Sequence, residues 1–256
     1  EPGCIWLENM KSYSRIRGEG SKDYKDNRVQ GCNPCVTGDT LINTSEGTLY
    51  HDRKEVPNPK GNWSLSFFRN KAPLTLELAC GKGEYTTGLA ARYPDKNFLG
   101  IDIKGARIWR GAKFALENNL KNVGFLRTRI EILDQYFDEQ EVQEIWITFP
   151  DPFYKKENRR LVATSFLNMY AFLLAKKGIL HLKTDDEVYY EYALDNLSRN
   201  PHFELEYHQN DIYQSALYHS DLDIKTFYEK QHIESGKKIK YLKAIRSSMR
   251  LNQEEE

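Results

Sequence analysis

The sequence has no excess of either charge: 37 lysines and arginines face 37 aspartates and glutamates. A global electrostatic attraction to nucleic acid is therefore excluded, and any such partner must be met by a local patch. No apolar run approaches the length of a membrane span, and no basic-then-apolar leader opens the chain, so neither a helical anchor nor secretion is expected. Four cysteines (Cys4, Cys32, Cys35, Cys80) are too few for a disulfide framework in 256 residues, which points to a reducing cytoplasm. The six histidines are scattered and, with the cysteines, give no metal-ligand spacing. Cys32 and Cys35 do stand at CxxC spacing. Half a zinc site, a redox pair and two inert thiols are the available readings; with no second pair nearby and no helix opening at Cys35, the inert reading is favoured.

What is present is organised around residues 74–89, LTLELACGKGEYTTGL. Leu74, Leu76, Leu78 and Ala79 crowd a short run interrupted only by Glu77, as in a buried parallel strand. Gly81-Lys82-Gly83 breaks the pattern, and Tyr85, Leu89, Ala90 and Tyr93 then recur at helical spacing. A strand, a glycine turn and a helix start make a pocket in which a ligand can approach the backbone. About twenty residues on, a second apolar run ends in Asp102, the place for a carboxylate that grips ribose hydroxyls.

Further strands are expected at 123–126, 144–149, 178–183, 203–207 and 239–245, with helices between them. One helix carries Ala106, Trp109, Ala112, Lys113 and Leu116 on one face, and another runs from Leu161 to Lys176. Residues 61–68 supply aromatic cover before the first strand. Alternation of strands and helices implies an open, mostly parallel α/β sheet, with ligand residues on the loops after strands. Gly81, Asp102, Asp151 and Asp185 all fall there.

The glycine turn departs from the dinucleotide fingerprint, because Thr86 stands where a helix-start glycine is wanted. Glu77 would also sit badly beside a pyrophosphate. Carboxylates suit a cofactor carrying an ammonium and a sulfonium, so charge favours S-adenosylmethionine. Asp151, between two prolines at a strand end, reads as a site residue or as a turn cap; Asp185 reads as a site residue or as a helix N-cap. Lys155, Lys156, Arg159 and Arg160 read as a phosphate-binding loop or a solvated one.

The blocks GKGEYTTGLA, FLGIDIKGARIWRGA, ITFPDPFYKK with NRRL, LKTD and TFYEKQ together resemble bacterial tRNA (guanine-N7-)-methyltransferases, over residues 60 to about 246. That resemblance implies a Rossmann-like class I S-adenosylmethionine-dependent fold with a mostly parallel seven-stranded sheet. It implies methyl transfer to N7 of a guanosine in the tRNA variable loop, position forty-six. It places Glu77, Gly81, Gly83, Asp102, Thr128 and Asp151 at the cofactor, with Asp151 catalytic. Lys155, Asp185, Thr226, Phe227, Tyr228 and Glu229 would meet the substrate. No metal is implied; tRNA is the partner, to a monomer or homodimer in the cytoplasm. The family's usual Trp after FPDP is Phe153 here, Thr128 stands where an Asp is common, and the basic loop is shorter and contains Glu157. A non-catalytic tRNA-binding or partner subunit of the same fold is the alternative.

Residues 1–59 look different: rich in polar, glycine and proline residues, without a sustained period. EPGCIWLEN, KDYKDNRVQ and GCNPC resemble a fragment of an adenosylcobalamin-dependent ribonucleotide reductase, and CVTGDTLINTSEG resembles the start of an intein. Too little of either is present to carry its chemistry. The expected organisation is an irregular extension without function over 1–59, a methyltransferase domain over 60–250, and a disordered tail over 251–256.

Overall fold

The computed structural model describes residues 40–43, 48–51 and 59–247; the CxxC pair and the reductase-like stretch lie outside them. Nine strands form one sheet: β1 (Thr40–Asn43), β2 (Thr48–His51), β3 (Leu74–Leu78), β4 (Asn97–Asp102), β5 (Val123–Arg127), β6 (Val142–Thr148), β7 (Leu174–Thr184), β8 (Phe203–Gln209) and β9 (Lys240–Arg246). Their order is β2-β1-β5-β4-β3-β6-β7-β9-β8. The last seven in that order are the expected sheet: β5, β4, β3, β6 and β7 run parallel, while β9 is antiparallel to both β7 and β8. Within the extension read as irregular, β1 and β2 pair as an antiparallel ladder, and β1 continues the sheet antiparallel to β5.

The central parallel strands are buried on both faces. All five residues of β3 and all six of β4 are buried. Leu76, Leu78, Leu99, Ile101, Leu126, Ile145 and Ile147 pack to one side. There they meet α3 (Thr164–Leu173), α4 (Glu187–Arg199) and a wide helical turn at Trp63–Phe67. Trp63 stacks on Phe137 at 5.1 Å and donates its indole N–H to the Tyr136 carbonyl, so the expected aromatic cover is a sealed corner. Phe98, Phe125, Trp146 and Tyr241 face the other side, against α1 (Glu84–Arg92), α2 (Gly105–Glu117) and the segment carrying Ile212 and Leu222.

Two expectations shift. The inward face of α2 is Ile108, Gly111, Ala112 and Ala115; of the expected stripe Ala106, Trp109, Ala112, Lys113 and Leu116, Ala112 alone is buried. Gly111 explains the rotation, because a Cβ there would come within 2.7 Å of both the Phe125 ring and the Lys82 carbonyl. The helix expected to run to Lys176 stops at Leu173, and β7 starts at Leu174, which pairs with Val142 beside a register irregularity. Among the described residues no helix is long and apolar enough to cross a membrane, and none of their His, Cys, Asp and Glu residues gather into a group that could hold a metal ion.

Candidate active site

The register brings the predicted residues to one edge. Leu78 pairs with Ile101 and with Ile147, Asp102 with Arg127, and Thr148 with Lys183. Thr128, Asp102, the glycine turn, Asp151 and Asp185 therefore follow one another along the carboxyl ends of β5, β4, β3, β6 and β7. The sheet order reverses at β3, the position at which such sheets bind ligands.

The glycine turn is built for close approach. Gly81 has φ +56°, and a Cβ on it would meet only the Ala79 carbonyl, at 4.0 Å, so its backbone borders open space. Gly83 has φ +66° and precedes α1; a Cβ there would drive into the Phe125 ring at 2.5 Å. Asp102 fixes the turn from the next strand: one carboxylate oxygen accepts from the Gly81 N–H at 2.9 Å, the other from the Lys104 N–H at 2.7 Å. Thr128 is buried, and its hydroxyl has no hydrogen-bond partner among the described residues. An open glycine backbone, a carboxylate at the end of β4 and an orphaned hydroxyl at the end of β5 fit a nucleoside-bearing cofactor.

Glu77 lies beneath this edge rather than on it. It is 2% exposed; one oxygen accepts from the Thr86 N–H at 2.7 Å and from the Thr86 hydroxyl, the other from the Thr148 hydroxyl at 2.7 Å. Burial pushes its carboxyl up to about 7 in spite of these donors. Its contribution to the cofactor turn is to pin the first turn of α1 to β6, and Thr86, where the dinucleotide pattern wants glycine, is the residue that answers it. Cys80 is buried, and desolvation raises its thiol well above the ordinary range, which makes it inert.

The Asp151 loop leaves β6 through Phe149 at φ +49° and passes Phe153 at φ +42°. Asp151 is exposed, and its carboxylate accepts from the Phe153 N–H at 3.3 Å, the contact of a turn cap. Lys155, Lys156 and Arg159 are exposed. Arg160 is a correction: it is 1% exposed, lies 4.4 Å over the Tyr192 ring, and donates its Nε–H to the Pro152 carbonyl at 2.9 Å. It holds the loop from within and has no face for phosphate. Tyr154 donates its hydroxyl to Asp186.

After β7, the two aspartates divide the work. Asp186 caps α4, accepting from the Tyr189 N–H at 2.7 Å, which frees Asp185 from the N-cap role. Asp185 forms ion pairs with Lys237 at 2.5 Å and, when His232 is protonated, with its Nδ1 at 3.4 Å.

The TFYE block opens α5 (Phe227–Glu234). Thr226 caps it, accepting from the Glu229 N–H at 3.1 Å. Phe227 and Tyr228 are 43% and 40% exposed, with the Lys82 ammonium 3.7 Å over the Phe227 ring. The Phe227 N–H donates to Glu84 at 2.9 Å, so α5 sits directly against the glycine turn. Glu229 departs from the expected substrate contact. It has no exposed surface, and its carboxylate is taken by Lys183 at 2.7 Å and by the Tyr213 hydroxyl at 2.6 Å. Lys183, the buried partner, carries no periodic or motif signal beyond its place before Thr184-Asp185.

Residues 71–242 match a family described as "putative methyltransferase". The chain is 52% identical over 205 residues to a tRNA (guanine-N(7)-)-methyltransferase of Christiangramia forsetii, covering 77% of this chain and 91% of the relative. It is 50% identical over 186 residues to one of Porphyromonas gingivalis, covering 72% and 75%. Among solved structures, an antibiotic-related methyltransferase superposes with a TM-score of 0.54 at 16% identity, covering 70% of this chain and 90% of that one. A 16S rRNA (adenine(1408)-N(1))-methyltransferase from Catenulisporales acidiphilia, with its cosubstrate, superposes at 0.53 and 10% identity, covering 82% and 98%. These structural likenesses carry the fold alone; the sequence relatives, matched over most of their own length, carry more. Identity of 52% and 50% to these relatives over most of both chains, on a class I methyltransferase sheet, places this chain in the tRNA (guanine-N(7)-)-methyltransferase family.

Proposed function

We propose that residues 60–250 form a methyltransferase domain that transfers the methyl group of S-adenosylmethionine to N7 of a guanosine in the tRNA variable loop, position forty-six. The observation that carries this reading is the alignment of an open glycine turn, Asp102, an orphaned Thr128 hydroxyl and an exposed Asp151 along one sheet edge. The names borne by the relatives supply the substrate class.

S-adenosylmethionine, when bound, supplies an electrophilic methyl on a sulfonium. The Gly81 backbone admits it closely, Asp102 accepts from ribose hydroxyls with lone pairs left over from its backbone contacts, and Thr128 offers its hydroxyl to the base. Guanine N7 already has a lone pair, so no residue here needs to act as a strong base. The chain must supply in-line placement and negative charge beside the purine as it becomes cationic. Asp151, held by the prolines and by Arg160 behind them, provides that charge. Asp185 can accept from guanine N1–H and N2–H, with Lys237 and His232 as the partners it has beforehand. Lys155, Lys156 and Arg159 meet phosphates, and Phe227 and Tyr228 offer ring faces beside the turn.

Incubation with unmodified tRNA and labelled S-adenosylmethionine tests the reading. Label should appear at a single guanine that borohydride and aniline then cleave, the behaviour of an N7-methylated base. Absence of transfer by a folded, cofactor-binding protein would refute it.

A further inference from the structure

Lys183 is a lysine with no exposed surface, on a strand whose neighbours Leu180 and Leu182 are core. Its ammonium donates to Glu229 Oε2 at 2.9 Å, to the Leu222 carbonyl at 2.8 Å and to the Ile224 carbonyl at 3.2 Å, and lies 2.7 Å from Glu229 Oε1 as an ion pair. The Tyr213 hydroxyl donates to Glu229 Oε1, the oxygen nearest the Lys183 ammonium, at 2.6 Å. Lysine and glutamate are wholly buried almost only as pairs, and a well-packed apolar pair commonly serves stability as well or better. Stability alone therefore does not account for this pair. Its location does. The carbonyl of Lys183 accepts from the Phe149 N–H at 2.8 Å, at the root of the Asp151 loop. Its side chain holds α5, and α5 holds the glycine turn through Phe227 to Glu84 and Lys82 over Phe227.

We propose that Lys183 is a positioning residue for methyl transfer, and that Glu229 acts through it rather than on the guanosine. Resting on the methyltransferase reading above, the proposal assigns one residue to tie two loops and a helix: the Asp151 loop by its backbone, α5 by its side chain, and the glycine turn through α5. The aromatic pair Phe227–Tyr228 and the carboxylate of Asp151 are thereby held in one frame, and loosening the Lys183 side chain frees α5 and the glycine turn from the strand that anchors the Asp151 loop.

The test is a double-variant cycle on the full chain, with thermal unfolding, kcat, and KM for S-adenosylmethionine and tRNA measured for Lys183→Met, Glu229→Gln and the pair combined. Each single variant is expected to lose at least tenfold in kcat well below its Tm, and KM for S-adenosylmethionine should rise as the turn loses its buttress. The combined variant should lose no more than the worse single one, because both act through one contact. Losses that multiply in the combined variant would place Glu229 on the substrate and overturn the proposal. So would a lowered Tm with unchanged kcat, the mark of a merely structural pair. Tyr213→Phe, which removes one hydroxyl and keeps the fold, covers the case in which the others fail to fold: about a threefold fall in kcat is expected, and an unchanged kcat overturns the proposal. If the unaltered protein transfers no methyl to tRNA, the methyltransferase reading fails instead, which the variants cannot mimic.

Discussion

Glu77 and Asp151 are two carboxylates at the ends of adjacent strands with opposite environments, and each makes a distinct prediction. Burial raises Glu77 from 4.5 to about 7, so between those values the folded protein holds a proton that the unfolded chain has released. A raised carboxyl contributes stability that is whole below the unfolded value and lost as pH climbs through the folded one, here about 3 kcal/mol in total. Glu77→Gln should flatten that part of the pH–stability profile, read by thermal unfolding at a series of pH values; an unaltered slope would assign it to other groups. Asp151 is exposed, and in the function proposed above it is needed only when charge develops on the base. Asp151→Ala should keep the Tm and lose about a hundredfold or more in kcat, in the range that removing one electrostatic contact costs. At Gly83, a methyl group meets both a left-handed φ and the Phe125 ring. Gly83→Ala should cost about 2–3 kcal/mol in denaturant unfolding.

The element that matters most is the loop from Phe149 to Arg160, where a buried guanidinium organises exposed chemistry. Arg160→Met keeps bulk against Tyr192 and removes the donor to Pro152. Its expected effect is a fall in kcat of about tenfold with tRNA affinity almost unchanged, whereas Lys155→Ala should do the reverse; filter binding beside steady-state kinetics separates them. Much of this site is legible in the sequence, because parallel strands put their functional residues at the carboxyl ends and those ends are marked by Gly81, Asp102, Pro150 and Thr184. What is not legible is which charges turn inward. Arg160 and Glu229 look like any other polar residues of a loop or helix start. Their partners Tyr192 and Lys183 lie 32 and 46 residues away, and only the fold brings them close. The inward face of α2 is hidden in the sequence for a related reason: Gly111 is in contact with the Phe125 ring, and glycine carries no hydrophobic signal.

For the whole molecule, neutrality sets how RNA is bound. With 37 charges of each sign, long-range attraction contributes little, and tRNA affinity should come from the few cations of one loop. A log–log plot of affinity against salt should then have a slope of only about −2 to −3, and Lys155→Ala should reduce it by nearly one. A much steeper slope would require a wider basic surface.

The glycine turn is buttressed from the far end of the chain: Tyr85 donates to the Asp221 carbonyl across 136 residues and Phe227 to Glu84 across 143. Ribosomal synthesis is vectorial, so the nascent chain exposes its nucleotide-binding turn long before the segment that secures it has been made. Contacts of such sequence separation form late. A chain stalled before residue 221 would carry every strand of the parallel sheet and still hold the methyl donor weakly. Competence to bind that donor should thus arrive in one step, once residues 221–229 have been made and have docked.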